Sequence, residues 1–185
     1  MMFRSPRFVA AMACFSLAMM TFTAGKSSAE EAKAIDVLGK AKMTVPSEFK
    51  PSEKKSRIIE HEFKVGEGDA AARLTMMRAG GGVAQNIKRW KGQFSGGKEE
   101  DQKTETVKAG PFELHLVDVT GSFAESMGGG PFFGGRTVQR ENYAMVGAIF
   151  ASEDGGMYFA KLVGPAETVK ANREKFVEMT KSVGK

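Results

Sequence analysis

The chain has 185 residues, with 27 lysines and arginines against 22 aspartates and glutamates, two histidines and a single cysteine. That length suits one ordinary domain, and one cysteine excludes an internal disulfide framework. The formal charge of +5 is the only compositional hint of an anionic partner, and the N-terminal segment accounts for most of it.

Met1 to Arg7 is short and basic, Phe8 to Phe22 is apolar or small and uncharged, and Ser27-Ser28-Ala29 places small residues just ahead of Glu30. This is the three-part layout of a secretory signal peptide over residues 1–29, with cleavage after Ala29. The uncharged run is shorter than the roughly 20 residues a membrane-spanning helix needs, so no integral span is expected after cleavage. Ala11-Met12-Ala13 resembles a lipobox, but the hydrophobic stretch continues past Cys14. A lipidated cysteine would end that stretch, so anchoring through Cys14 is disfavoured. Losing Arg4, Arg7 and Lys26 lowers the basic count from 27 to 24 against 22 acids, and also removes the cysteine. An exported protein, periplasmic or secreted, is expected, and nucleic acid is not expected as a partner.

Residues 30–40 read as a charged lead-in of one or two helical turns, and residues 41–185 as a single domain. Met43-Thr-Val45 forms a short strand stopped by Pro46, and 48–56 a solvated loop. Alternation over 57–65 places Ile59, His61, Phe63 and Val65 on one strand face. Gly66-Glu-Gly68-Asp69 turns the chain into a second strand over 71–79. After Gly80-Gly81-Gly82, the spacing of Val83, Ile87, Trp90 and Phe94 predicts a helix over 83–94. Residues 95–103 form a polar loop, and strands follow at 104–108 and 112–123.

Met127 to Arg136 is a glycine-rich segment enclosing Phe132 and Phe133. Beyond it, Glu153-Asp154-Gly155-Gly156 joins strands at 142–152 and 157–163. A closing helix over 166–183 buries Val169, Phe176, Met179 and Val183. The strand from Tyr143 to Ala151 is apolar on both faces and must be covered on both. The fold class is therefore α+β: a mostly antiparallel sheet with helices on both faces.

Several stretches carry a family resemblance: Met43-x-Val45-Pro46, Ala79-Gly-Gly-Gly82, Asn86-x-x-x-Trp90-x-x-Gln93-Phe94, Asn142-Tyr143-x-Met145-x-Gly147-Ala148-Ile149 and Tyr158-Phe-Ala-Lys161-Leu-x-Gly164-Pro165. Over residues 41–183 the chain resembles small exported bacterial proteins of unknown function, of planctomycete type, with a PsbP-like α/β/α sandwich. That wider fold includes extrinsic photosystem II subunits and a binder of a small nuclear GTPase. The resemblance implies a binding or accessory role and assigns no functional residue.

Chemical motifs are sparse. Gly92 to Glu99 approaches a phosphate-binding loop, but Glu99 stands where a Mg²⁺-binding hydroxyl is needed. Gly80–Gly82 opens a helix, where backbone N–H groups favour anions, although glycine-rich turns there usually serve only to connect. His61 and His115 lack metal-ligand spacing, and no nucleophile elbow is present. No cofactor is expected. The expected function is non-catalytic binding or accessory work in the cell envelope, on a protein or small ligand, with Phe132, Phe133 and Arg136 as the partner-binding loop. The alternative is a small-molecule or metal-binding protein, or a hydrolase, with a pocket near His61 and His115.

Overall fold

The computed structural model describes residues 1–2, 32–54, 56–127 and 136–184. The proposed signal sequence, with Cys14, falls almost entirely outside them. The first element corrects the expected helical lead-in. Lys33–Val37 is a strand (β1) paired antiparallel with Ala41–Val45 (β2). Alternation drives it: Ile35, Val37, Met43 and Val45 are buried, with exposed residues between them. Leu38 and Gly39 both take positive φ in the tight turn, and Gly39 N–H donates to Asp36 Oδ1 at 2.6 Å.

The remaining strands are β3 (Lys50–Pro51), β4 (His61–Val65), β5 (Ala72–Ala79), β6 (Phe94–Ser95), β7 (Thr104–Ala109), β8 (Phe112–Met127), β9 (Arg136–Ser152) and β10 (Met157–Pro165). They form one antiparallel sheet in the order β3-β4-β5-β10-β9-β8, with β7 and β6 sharing the outer edge of β8. The helices are α1 (Val83–Lys91) and α2 (Ala166–Lys181). Helix α1 stops three residues short of the expected 94. Gly92 ends it, and Phe94 pairs instead with Phe123 of β8. A helix continuing through glycine would cost about 1 kcal/mol relative to alanine and would forfeit that pairing. Among the described residues no helix is long and apolar enough to cross a membrane.

The doubly apolar strand behaves as its alternation demands. Val146, Ala148 and Phe150 pack in one apolar cluster with Val169, Phe176 and Met179 of α2 and with the β1–β2 hairpin. Met145 and Ile149 belong to a second cluster with Trp90 of α1, Val117, Val119 and Phe159. Burying apolar surface at about 25 cal/mol per Å² makes these clusters the main source of stability.

Arg173 of α2 reaches the sheet with a two-pronged contact, its Nε and a terminal N–H donating to the two Asp118 oxygens at 2.7 and 2.8 Å. The planar fork suits a carboxylate in a way an ammonium does not. Arg173→Lys is expected to cost about 1 kcal/mol in urea unfolding, although it keeps the charge. An unchanged midpoint would mean the charge alone suffices.

Candidate functional site

The sequence points to the segment between β8 and β9, to the two histidines and to Gly80–Gly82. The first is the β8–β9 pair. Pairing of β10 with β9 ends at Pro165 opposite Tyr143, while β8 and β9 continue to Met127 opposite Arg136. An irregularity between Gly121 and Phe123, with Asn142 at φ 55°, re-phases the ladder at that point. Beyond it runs a two-stranded ribbon of about five pairs, roughly 16 Å long. Arg140 Nε donates to Glu125 Oε2 across the ribbon at 2.9 Å, and Ala124 N–H donates to the Gln93 carbonyl at its root. An isolated two-stranded hairpin is marginal in water, so continuity with the sheet supports this one. Phe132 and Phe133 lie outside the described residues, and Arg136 is placed by its backbone alone, opposite Met127.

The second place is the pair of histidines, and the structure does not bring them together. His61 sits on β4 and His115 on β8, with β5, β10 and β9 between them. Four inter-strand steps separate them by roughly 19 Å, which removes the shared pocket expected above.

His115 is buried. Its Nδ1 lies 2.9 Å from Thr106 Oγ1, and its Nε2 lies 2.9 Å from Glu113 Oε1 without the alignment of a hydrogen bond. An open cleft beside it is lined by Thr106, Lys108, Glu113, Ser152 and Glu153. Hydroxyl, imidazole and carboxylate thus line up on one face, yet among the described residues no group of three His, Cys, Asp or Glu is arranged to hold a metal ion.

His61 is half-buried, and its imidazolium is disfavoured first by burial and then by the charge of Lys33. The folded-state pKa therefore lies below the unfolded one. Its contribution to stability is complete above about pH 6.5 and is lost as pH falls through the folded value. His61→Gln is expected to flatten the decline in urea midpoint between pH 7 and pH 5. An identical slope in both proteins would rule the contribution out.

Gly80–Gly82 proves to be a connection held by Asn86, whose side-chain N–H₂ donates to the Gly80 and Gly82 carbonyls at 3.1 and 3.0 Å.

A further cluster surrounds Lys161, which no sequence motif marks. Lys161 of β10 pairs with Gly147 of β9, and Trp90 of α1 lies over that glycine. The Lys161 ammonium sits 5.8 Å from the centre of the Trp90 indole and 5.6 Å from that of Phe123, within cation–π range. It donates a hydrogen bond to Gln93 Oε1. Phe123 in turn stacks on Tyr143 at 6.2 Å and touches Phe94 at 5.0 Å. No carboxylate among the described residues pairs with this amine. Burial, and then the charges of Arg89 and Arg73, bring the Lys161 pKa down to about 8. The same sheet face carries Glu62, which is buried and joined to Arg73 by a two-pronged contact at 2.6 and 2.9 Å.

No family model matches the chain, and no curated protein matches it. Among solved structures it is similar to the solution structure of cyanobacterial PsbP (CyanoP) from Synechocystis sp. PCC 6803. That likeness spans 84% of this chain and 93% of that one, at 8% identity and a TM-score of 0.49.

Proposed function

We propose that the chain is an exported, non-catalytic binding or accessory protein of the cell envelope. On this reading it is an α/β/α sandwich that meets a protein or small ligand through the tip of the β8–β9 ribbon. The observation that carries the reading is the ribbon itself: two strands continue past their neighbours and join the described fold to the segment holding Phe132 and Phe133. Aromatic residues are favoured anchors at interfaces, and binding residues concentrate on loops positioned by a rigid scaffold. The opposite clusters against α1 and α2 support the sandwich arrangement.

A photo-crosslinking residue at position 132 is expected to yield a discrete adduct in the native envelope, and one at position 108 on β7 is not. Equal adducts from both positions, or none from 132, would sink the reading. The double change Phe132→Ala/Phe133→Ala is expected to leave stability within about 1 kcal/mol. A loss of about 3 kcal/mol or more would instead place the pair in the core. N-terminal sequencing of the exported chain is expected to begin at Glu30.

A further inference from the structure

The β1–β2 hairpin carries its apolar stripe at odd positions, and Lys33 stands where that stripe would continue outward from Val37 and Ile35. The lysine pairs across the hairpin with Val45, and its ammonium lies 5.9 Å from the centre of the Phe63 ring of β4. It lines a cavity of about 280 Å³ together with Val45, Pro46, Phe49, Pro51 and Phe63. Lys33 and Ser47 are the only polar side chains among the described residues of that lining. The walls are fixed from several directions. Phe49 N–H donates to the Pro46 carbonyl at 3.1 Å, Pro51 pairs with Phe63, and Ser52 N–H donates to the Glu62 carbonyl at 2.9 Å. The cavity is thus preformed, and filling it requires little ordering.

We propose that this cavity binds a small apolar carboxylate, with its ring or short chain against Phe49, Phe63 and the two prolines and its carboxylate on Lys33. Size sets the scale. The volume falls at the lower end of ligand sites, which run from about 300 to 1,000 Å³, and so suits a single ring or a short chain. Charge sets the sign. Neither Lys33 nor Lys54 has an ion-pair partner among the described residues. His61 shares the Phe63 face of β4. Its imidazolium is disfavoured by burial and then by the charge of Lys33, which outweighs the opposing charge of Glu60. The mouth of the cavity is therefore electropositive. An anion seated there would turn a lone charge into a pair, while its apolar body covers surface that the hairpin leaves open. The site lies at the β3–β4 edge of the sheet, opposite the edge that bears β8.

The test records NMR spectra of the full chain during titration with phenylacetate, and with phenylacetamide as its neutral counterpart. Phenylacetate is expected to shift the resonances of Lys33, Val45, Phe49 and Phe63 with a dissociation constant of about 1 mM or lower. Phenylacetamide is expected to bind at least about threefold more weakly, the weight of one partly screened ion pair. Lys33 is exposed, so Lys33→Gln should fold as the native chain does. It is expected to lose at least about threefold for phenylacetate and less than about twofold for phenylacetamide. No shift at the cavity residues by about 20 mM phenylacetate overturns the proposal and leaves Lys33 as a charge that guards the β1 edge against pairing. Shifts confined to other residues overturn it equally. Equal affinities for the two probes, a comparison that needs no variant, overturn the pairing of the carboxylate with Lys33. Binding through the ribbon tip is untouched by these results, because the crosslink at position 132 reads it separately.

Discussion

Gly147→Val is expected to destabilise the protein by about 3 kcal/mol or more, the upper range for overpacking a closed core. A glycine inside a central strand ordinarily weakens it, lacking a side chain to pack and carrying extra backbone entropy. Here the missing side chain is the requirement. A Cβ placed on Gly147 would lie 2.4 and 2.8 Å from two carbons of the Trp90 ring, far inside contact distance. The indole cannot move away easily. It is 3% exposed and meets Phe159 edge-on at 5.0 Å. Trp90→Ala is expected to cost about 3–5 kcal/mol on its own, the usual loss for truncating a buried tryptophan. The two changes share one volume, so the double variant Trp90→Ala/Gly147→Val should lose at least 1 kcal/mol less than the sum of the singles. Urea unfolding of the four proteins measures this, and strict additivity would show that the two residues do not press on each other.

Lys161→Met is expected to stabilise the protein at pH 7 by about 1–2 kcal/mol. An amine held at about 8 rather than 10.5 carries a penalty on its charged form of a little over 3 kcal/mol. Partial exposure and the lost bond to Gln93 reduce the gain. The sign of the pH dependence follows from the depressed value. Between about pH 8 and pH 10.5 the unfolded chain holds a proton at this site that the folded chain has shed, so native stability rises with pH there. Methionine has no such proton. The advantage of the variant should therefore be largest at pH 7 and shrink as pH rises through 8 to 10. A variant less stable than the native chain at pH 7 would mean that the ring contacts and Gln93 outweigh burial.

Much of the fold was legible because its largest strands and both helices announce themselves locally. Tyr143 to Ala151 is apolar at every position, and the α2 residues Val169, Phe176, Met179 and Val183 are all buried. The β1–β2 hairpin was hidden because only Ile35 and Val37 alternate before the chain turns at Leu38, whose positive φ no pattern of hydrophobicity reveals. The ribbon was underestimated because the irregularity near Asn142 shifts the face alternation, so residues 137–141 no longer continue the pattern of 143–151. The Lys161 site was invisible for another reason. Trp90, Gln93, Phe123, Gly147 and Lys161 come from distant parts of the chain, and Lys161 in isolation reads as an ordinary outward strand lysine. Four of those five are, however, among the residues that carried the family resemblance, which were read as structural. Thr106 and His115 likewise meet only because β7 and β8 pair.

The two ends of the described chain close the same face of the sheet. Ile35, Val37 and Met43 from the N-terminal hairpin share one cluster with Phe176, Met179 and Val183 from the last turns. Thr44 N–H donates to Ser182 Oγ at 3.0 Å, and Lys175 bonds Glu48 at 2.6 Å. A polypeptide delivered N-terminus first through a narrow channel would therefore present its opening hairpin long before anything exists to cover it. Native closure must await the final residues, the signature of a slow, high-contact-order topology.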